Sequence, residues 1–340
     1  MIQEKLRSII EKHGDYEYGF APLRNPLSLK YYEEWIESEK HAEMSYLKRH
    51  LEVKASPELR YPKAHSAIVF RFHYYPKSKE NFPLKETRVA LYAQGKDYHD
   101  YLKEELQVLL SSLQEAFPDE VFHFHTDSGP VLERDLAYQA GLGWFGKNTC
   151  IIDQQKGSLF FIAEILTSLE LPKAEVLHPD RCGKCTRCID ACPTNALSQS
   201  ERSLDASKCI SYLNIEKKGL PDKDLRGQMG SWFFGCDICQ TVCPWNEKAH
   251  GKAKMNLLSE NESSRDTLIN ELSNILSSTD SELKILFQGT PLTRAKPKGL
   301  RRNAIIVATN EALSELKDTI QKHKDTEDLS ELVHWSLERL

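Results

Sequence analysis

Apolar positions recur at helical spacing through much of the chain, and the breaks in that rhythm place the strands. Residues 4–13 carry an amphipathic period that predicts a helix, Tyr16 to Pro22 reads as a short extended piece, and Leu27 to His50 returns to helical periodicity with many charges. The runs SAIVFRFHYY (66–75) and RVALYAQ (88–94) are dense in β-branched and aromatic residues and read as strands. Leu102, Leu106, Leu109, Leu110 and Leu113 mark one face of a helix from Tyr98 to Phe117. EVFHFHTD (120–127) alternates as a half-buried strand does. Gly129-Pro130 then opens a helix, with proline where its missing N–H costs nothing, and VLERDLAYQA carries it to a stop at Gly141. SLFFIAEILTSL (158–169) predicts a buried strand.

Interspersed helices and strands make residues 1–170 a mixed unit, α/β or α+β. From about 255 the pattern is all helix, with stripes at Leu268, Leu272 and Leu276, at Leu313, Leu316 and Ile320, and at Leu329, Leu332, Val333 and Leu337. Short antiparallel helix pairs would form a HEAT-like array, with a plain bundle as the alternative. The expected division is 1–170, 171–250 and 251–340, α+β as a whole.

The middle segment has no clear period but holds eight of the nine cysteines. Cys182, Cys185, Cys188, Cys192 and Pro193 follow the C-x2-C-x2-C-x3-C-P spacing of two-cluster ferredoxins, whose fourth cysteine ligates the other cluster. Cys236, Cys239, Cys243 and Pro244 repeat the pattern without its leading cysteine, which Cys209 can supply. Exchange of the fourth ligand assigns Cys182, Cys185, Cys188 and Cys243 to one [4Fe–4S] cluster, and Cys192, Cys209, Cys236 and Cys239 to the other. Zinc favours two separated CxxC pairs, which this run fits poorly. Disulfides would need an exporting signal, and the N-terminal helix is not one. Cys150 stands outside the segment and reads as a small buried apolar residue.

Charged residues make up 28% of the chain, its mean hydropathy is −0.52, and no apolar run approaches the ~20 residues of a membrane span. These features predict a cytoplasmic protein with no membrane association. A net charge of −5 excludes a generally basic nucleic-acid binder but not a local patch. Arg294, Lys296, Lys298, Arg301 and Arg302 form such a patch, on a loop and the helix starting near Leu300, with no acid among them. It reads either as phosphate contacts or as a solvated loop. Lys217 and Lys218 are a second candidate contact.

Two further stretches carry candidate chemistry. In DSGPVLERDLAYQAGLGWFGKNTCII (127–152), a charged helix ends in a glycine-rich exit, where Gly141, Gly143 and Gly146 either admit close approach of a ligand or simply cap the helix and turn. In YAQGKDYHDYL (92–102), Asp97, Tyr98 and His99 are either ligand contacts or a helix start capped by Asp97.

Taken together, PVLERDLAYQAGLGWFGKNTC, CGKCTRCIDACPTNA and FFGCDICQTVCPWN resemble the epoxyqueuosine reductase family, as do YAQGKDYHDYL, SYLNIEKKG (211–219) and GTPLTRAKPKGLRRNA (289–304). The resemblance implies an N-terminal cobalamin-binding α/β domain related to reductive dehalogenases, a ferredoxin-like domain with two [4Fe–4S] clusters, and a C-terminal HEAT-like domain that binds tRNA. It implies reduction of epoxyqueuosine to queuosine at the wobble position of tRNA with a GUN anticodon. It further implies Asp135 as proton donor, corrin or substrate contacts at Asp97, Tyr98, His99, Asp135, Gly141, Gly143, Trp144, Lys147 and Asn148, and base-off cobalamin. Trp144 and Phe145 are candidates to stack on a splayed base. The expected enzyme is a monomer fed by a low-potential electron donor. The alternative is a soluble cobalamin-dependent reductive dehalogenase, which would have no use for a basic C-terminus.

Overall fold

The computed structural model describes residues 2–74, 82–252, 255 and 264–340. Its first unit is built on a four-stranded sheet. β1 (Glu17–Pro22), β2 (Ser66–His73), β4 (Phe122–His125) and β7 (Phe160–Thr167) lie in the order β1-β2-β7-β4, and every neighbouring pair is antiparallel. The α/β expectation for this unit is therefore corrected to α+β. Helix–strand alternation along the chain does not produce parallel pairing here, because the intervening helices do not carry the strands across as right-handed βαβ units.

The two faces of the sheet are covered differently. α1 (Ile2–His13) and α5 (Tyr98–Ala116) bury Leu6, Ile10, Leu102, Leu106, Leu109 and Leu113 against Phe20, Ile68, Phe70, Ala163 and Ile165. The opposite face carries Ala67, Val69 and Leu166 and is covered by α6 (Glu133–Gln139) through Leu136, Ala137 and Ala140. Glu164 also points to this face, since it alternates with Ala163 and Ile165. Strand β1 passes so close to α6 that a Cβ on Gly19 would lie 2.1 Å from the Ala140 carbonyl oxygen.

Several boundaries differ from the sequence reading. The 66–75 strand ends at His73, and Tyr75 lies outside the described residues. The 88–94 stretch forms only a two-residue strand, β3 (Arg88–Val89), followed by a 3-10 turn at Leu91–Ala93. Leu27–His50 splits into α2 (Leu29–Glu37) and α3 (Ser45–Arg49), followed by α4 (Leu51–Ala55). Pro130 does not start α6. The helix begins at Glu133, after a loop.

The cysteine segment contains more regular structure than its lack of period suggests, including the helices Ile210–Ile215 and Pro244–His250 and strand β8 (Trp232–Phe234). β8 pairs in parallel with β3. One apolar core joins Leu84, Val89 and Ala90, then Ile210, Leu213 and Phe233, then the three C-terminal stripes. At its centre the helix Lys296–Asn310 is buried on almost every side, from Leu300 and Ala304 to Val307 and Thr309. The packing thus runs continuously across position 250. Among the described residues no helix is long and apolar enough to cross a membrane.

Candidate active site

The loop after β4 gathers the most reactive groups. Thr126 donates its hydroxyl to the Ile162 carbonyl and ties the loop to β7. Asp127 follows at φ 54°, a left-handed conformation that Asp tolerates better than most residues, and its side chain remains 65% exposed. Its carboxylate accepts from the Tyr98 hydroxyl at 2.6 Å and lies 3.7 Å from His99 Nε2. Burial, followed by the Asp127 charge, raises the Tyr98 pKa, so this hydroxyl stays a donor. Asp97 caps α5 by accepting from the His99 amide and also binds His99 Nδ1 at 2.7 Å. The helix-start reading of Asp97 therefore holds, and it also orients the imidazole. Tyr98 stacks on Phe161 at 4.6 Å with the rings 10° apart, and Tyr92 meets Tyr98 edge-on. The carbonyl of Gly289 accepts from the Asp97 amide at 2.7 Å, bringing the C-terminal region to this wall. Arg294 and Tyr46 lie close enough for the Asp127 charge to act on both.

Asp135 is placed differently. It is fully buried in the first turn of α6, where one oxygen accepts from the Ser28 amide at 2.6 Å and the other from Gln139 Nε2 at 2.5 Å. With both oxygens engaged and no exposed surface, it staples α2 to α6. The exposed acid beside the aromatic wall is Asp127, which the sequence reading passed over. Its signal was the Asp-Ser-Gly-Pro turn, where a loop rather than a helix holds the carboxylate.

The glycine-rich exit resolves into backbone geometry. Leu142 N–H bonds to Ala137 O and Gly141 N–H to Tyr138 O, with Gly141 at φ +73°, the hydrogen-bond pattern of a Schellman cap. A Cβ on Gly143 would lie 2.5 Å from the Ile152 carbonyl oxygen, inside the hairpin formed by β5 (Trp144–Phe145) and β6 (Ile151–Ile152). A Cβ on Gly141 would likewise meet the Ala174 side chain at 3.0 Å. The hairpin braces the cysteine loops. Lys147 donates to the carbonyls of Gly183 and Cys185, and Asn148 donates to that of Cys239. Trp144 is 1% exposed, edge-on to Trp245, and so is not a free stacking platform for a base.

The eight cysteines of the segment fall into two neighbourhoods. Burial pushes the Cys188 thiol up to about 11, and the surrounding charges that add to this are those of Cys243, Cys182 and Cys185. Burial likewise raises Cys236, with Cys209 and Cys192 beside it, and raises Cys239, with Cys236 and Cys209 nearby. Thiols crowded in this way resist ionisation until a cation takes their charge. The Trp144 Nε1–H is buried without a partner, in the same apolar cluster as Cys182 and Cys243. A donor of this kind suits the sulfurs of an iron–sulfur cluster, whose potential such hydrogen bonds tune. The donor set and the orphaned N–H fit the clusters. Cys150 lies between the neighbourhoods, near Cys243 and Cys188 on one side and Cys239 on the other, and burial pushes its thiol up to about 11.

The basic run is largely paired with acids from distant parts of the chain. Arg294 forms a two-pronged bridge to Glu216, Lys298 pairs with Asp328, and Arg301 pairs with Asp280 at 2.6 Å. Lys296 starts the helix, four residues earlier than expected, and is exposed. Arg302 is 2% exposed and donates to the carbonyls of Leu213, Lys217 and Gly219 and to the Asn303 side chain. It is a structural anchor, and its proposed phosphate contact is corrected on that ground. Lys217 pairs with Glu43 at 3.1 Å, and Lys218 remains exposed.

These features define an iron–sulfur oxidoreductase. Residues 181–246 match the family described as 4Fe-4S double cluster binding domain, and residues 54–128 match Epoxyqueuosine reductase QueG, DUF1730. The chain is 32% identical to the epoxyqueuosine reductase of Xanthomonas campestris, over 98% of this chain and 94% of that one. It is 35% identical to that of Pseudomonas aeruginosa, over 90% and 85%. A solved epoxyqueuosine reductase holding an epoxyqueuosine-modified tRNA-Tyr stem loop superposes with a TM-score of 0.82 at 28% identity, covering 99% of this chain and 90% of that one. The Bacillus subtilis enzyme, captured with its catalytic aspartate loop swung out of the active site, superposes at 0.80 with 27% identity, over 98% and 88%. The chain belongs to the epoxyqueuosine reductase family, oxidoreductases of queuosine biosynthesis that reduce epoxyqueuosine in tRNA.

Proposed function

We propose that the epoxide is reduced against the wall formed by Asp127, Tyr98 and His99, with Asp127 as the proton donor. Conversion of an epoxide to an alkene takes two electrons and two protons and releases the oxygen as water. An alkoxide leaves poorly, so an acid must meet the oxygen, and general acids contribute ~10²–10⁴-fold. Asp127 is the exposed carboxyl on this wall, and that is the observation that carries the proposal. A catalytic aspartate on a loop in the B. subtilis relative points the same way. A bound nucleoside would close over Asp127 and exclude water from the acid. Tyr98 and His99 hold its other oxygen and fix its direction. Replacing Asp127 with Asn should leave iron content unchanged and abolish turnover, whereas wild-type turnover would remove Asp127 from the mechanism.

Cobalamin supplies the two-electron chemistry at carbon when bound. Tyr98 is stacked between Phe161 and His99, so the amides of the corrin ring would be met by the polar edge formed by Asp97, His99 and Asp127. These residues would hold it, while Trp144, Lys147 and Asn148 serve the cluster loops. One [4Fe–4S] cluster takes Cys182, Cys185, Cys188 and Cys243, and the second takes Cys192, Cys209, Cys236 and Cys239. The neighbourhoods of Cys188 and Cys236 support this assignment.

An epoxyqueuosine-modified tRNA stem loop, the ligand held by the solved relative, is the substrate. Arg294, Lys296 and Lys218 would meet its phosphates, with Arg294 nearest the Asp127 wall. The helical C-terminal region forms the RNA-binding part, and a low-potential donor reduces the clusters.

A further inference from the structure

Behind Asp127 lies a pair of carboxyl groups that the reaction as described does not use. Glu164 sits on β7, fully buried, and neither of its carboxyl oxygens has a partner. Glu133 faces it from the first turn of α6 and also buries an unpartnered oxygen. Two ionised carboxylates are acceptors only, so neither can satisfy the other. A single proton between them supplies the missing hydrogen bond.

The other charged groups facing the pair agree with one shared proton. From α4, Lys54 is 9% exposed and donates to the Val131 carbonyl at 2.8 Å, close enough for its charge to act on both glutamates. Tyr61 approaches from beyond the 3-10 turn at Pro57–Leu59, and His125 lies opposite Glu164 in the β4–β7 register. Burial holds His125 neutral near pH 7, with its pKa lowered to about 4. Asp127 completes the surroundings, with its charge and its backbone amide both acting on Glu133. One ammonium thus faces one shared negative charge, whereas full ionisation would leave a buried negative charge uncompensated.

We propose that Glu133 and Glu164 hold one proton between them and act as the store that reprotonates Asp127 after each proton donation. The O–H bond of the pair breaks as one forms on the Asp127 carboxylate, and partly exposed Glu133 recovers a proton from water. This proposal rests on Asp127 being the acid. It explains why an acidic residue interrupts an otherwise apolar strand.

Two measurements on the enzyme with its clusters test the proposal. Burial raises both glutamates above the ordinary carboxylate range, with the Asp127 charge adding to it. A carboxyl raised on folding contributes stability below its ordinary pKa and loses it as pH rises through the folded value. Glu164→Gln should therefore match wild-type melting near pH 5 and melt higher by on the order of 5 °C at pH 8. A pH-independent difference would overturn the shared proton. In multiple turnover, the wild-type rate should fall only where the pair gives up its last proton, a step the neighbouring carboxylate raises. In Glu164→Gln, Glu133 ionises alone, with no second carboxylate raising the loss of the last proton, and that fall should move to lower pH. An unmoved pH profile would overturn the storage role. If Asp127→Asn proved active while the melting difference still grew with pH, the pair would stand and the Asp127 reading would fall.

Discussion

Arg302 separates two readings of the same basic run, and its replacement has a calculable cost. Its guanidinium donates to three main-chain carbonyls, those of Leu213, Lys217 and Gly219, and to the Asn303 side chain, while only 2% of the residue is exposed. Burial, the larger influence, lowers its pKa to about 10, so it remains charged at neutral pH. Arg302→Ala strips these carbonyls of a donor in a site closed to water. At ~1–3 kcal/mol for each buried group left unsatisfied, and allowing for partial relaxation, the loss should be about 3–5 kcal/mol. For a unit of roughly 150–250 residues this lowers the melting temperature by roughly 6–20 °C. Arg302→Lys keeps the charge but not the planar fork, and should lose about half as much. The assay is thermal unfolding followed by circular dichroism under anaerobic conditions, beside tRNA binding by the fraction that remains folded. An Arg302→Ala protein that melts like wild type but binds tRNA weakly would refute the structural role.

Replacing Arg294 or Lys296 should leave melting nearly unchanged and reduce the slope of log affinity for the tRNA stem loop against log salt by ~0.7–0.9 each; an unchanged slope would place the RNA elsewhere. Replacing Cys243 with Ala should remove the cluster that includes Cys182, and Cys209→Ala the one that includes Cys236, so each variant retains about half the iron. Loss of iron from both sites in equal measure would contradict the assignment.

The double-cluster segment was legible because cubane ligation imposes a spacing along the chain itself. The leucine stripes were legible for a similar reason: Leu268, Leu272 and Leu276 need only their own helix to share a face, and all three are buried. Features set by residues far apart in sequence were not legible. Arg294 and Glu216, or Lys217 and Glu43, become partners only through the fold, so a run of cations without local acids looked freer than it is. Asp135 and Asp127 are both acids flanking one turn, and local sequence does not reveal that Ser28, more than a hundred residues away, closes over the first. The glycines of 141–146 suited a ligand cradle as well as a cap and hairpin, and contacts with Ile152 decided between them. Glu164 passed unnoticed because the alternation that aims it at α6 is hidden in an apolar run.

The most direct test of the account compares Asp127→Asn with Asp135→Asn in a single turnover of an epoxyqueuosine-containing stem loop, with reduced clusters and cobalamin supplied. The account predicts no queuosine from Asp127→Asn despite normal iron content and tRNA affinity, and near-normal chemistry from Asp135→Asn in a protein that melts at lower temperature. Full turnover by the first variant, or a dead but stably folded second variant, would contradict it.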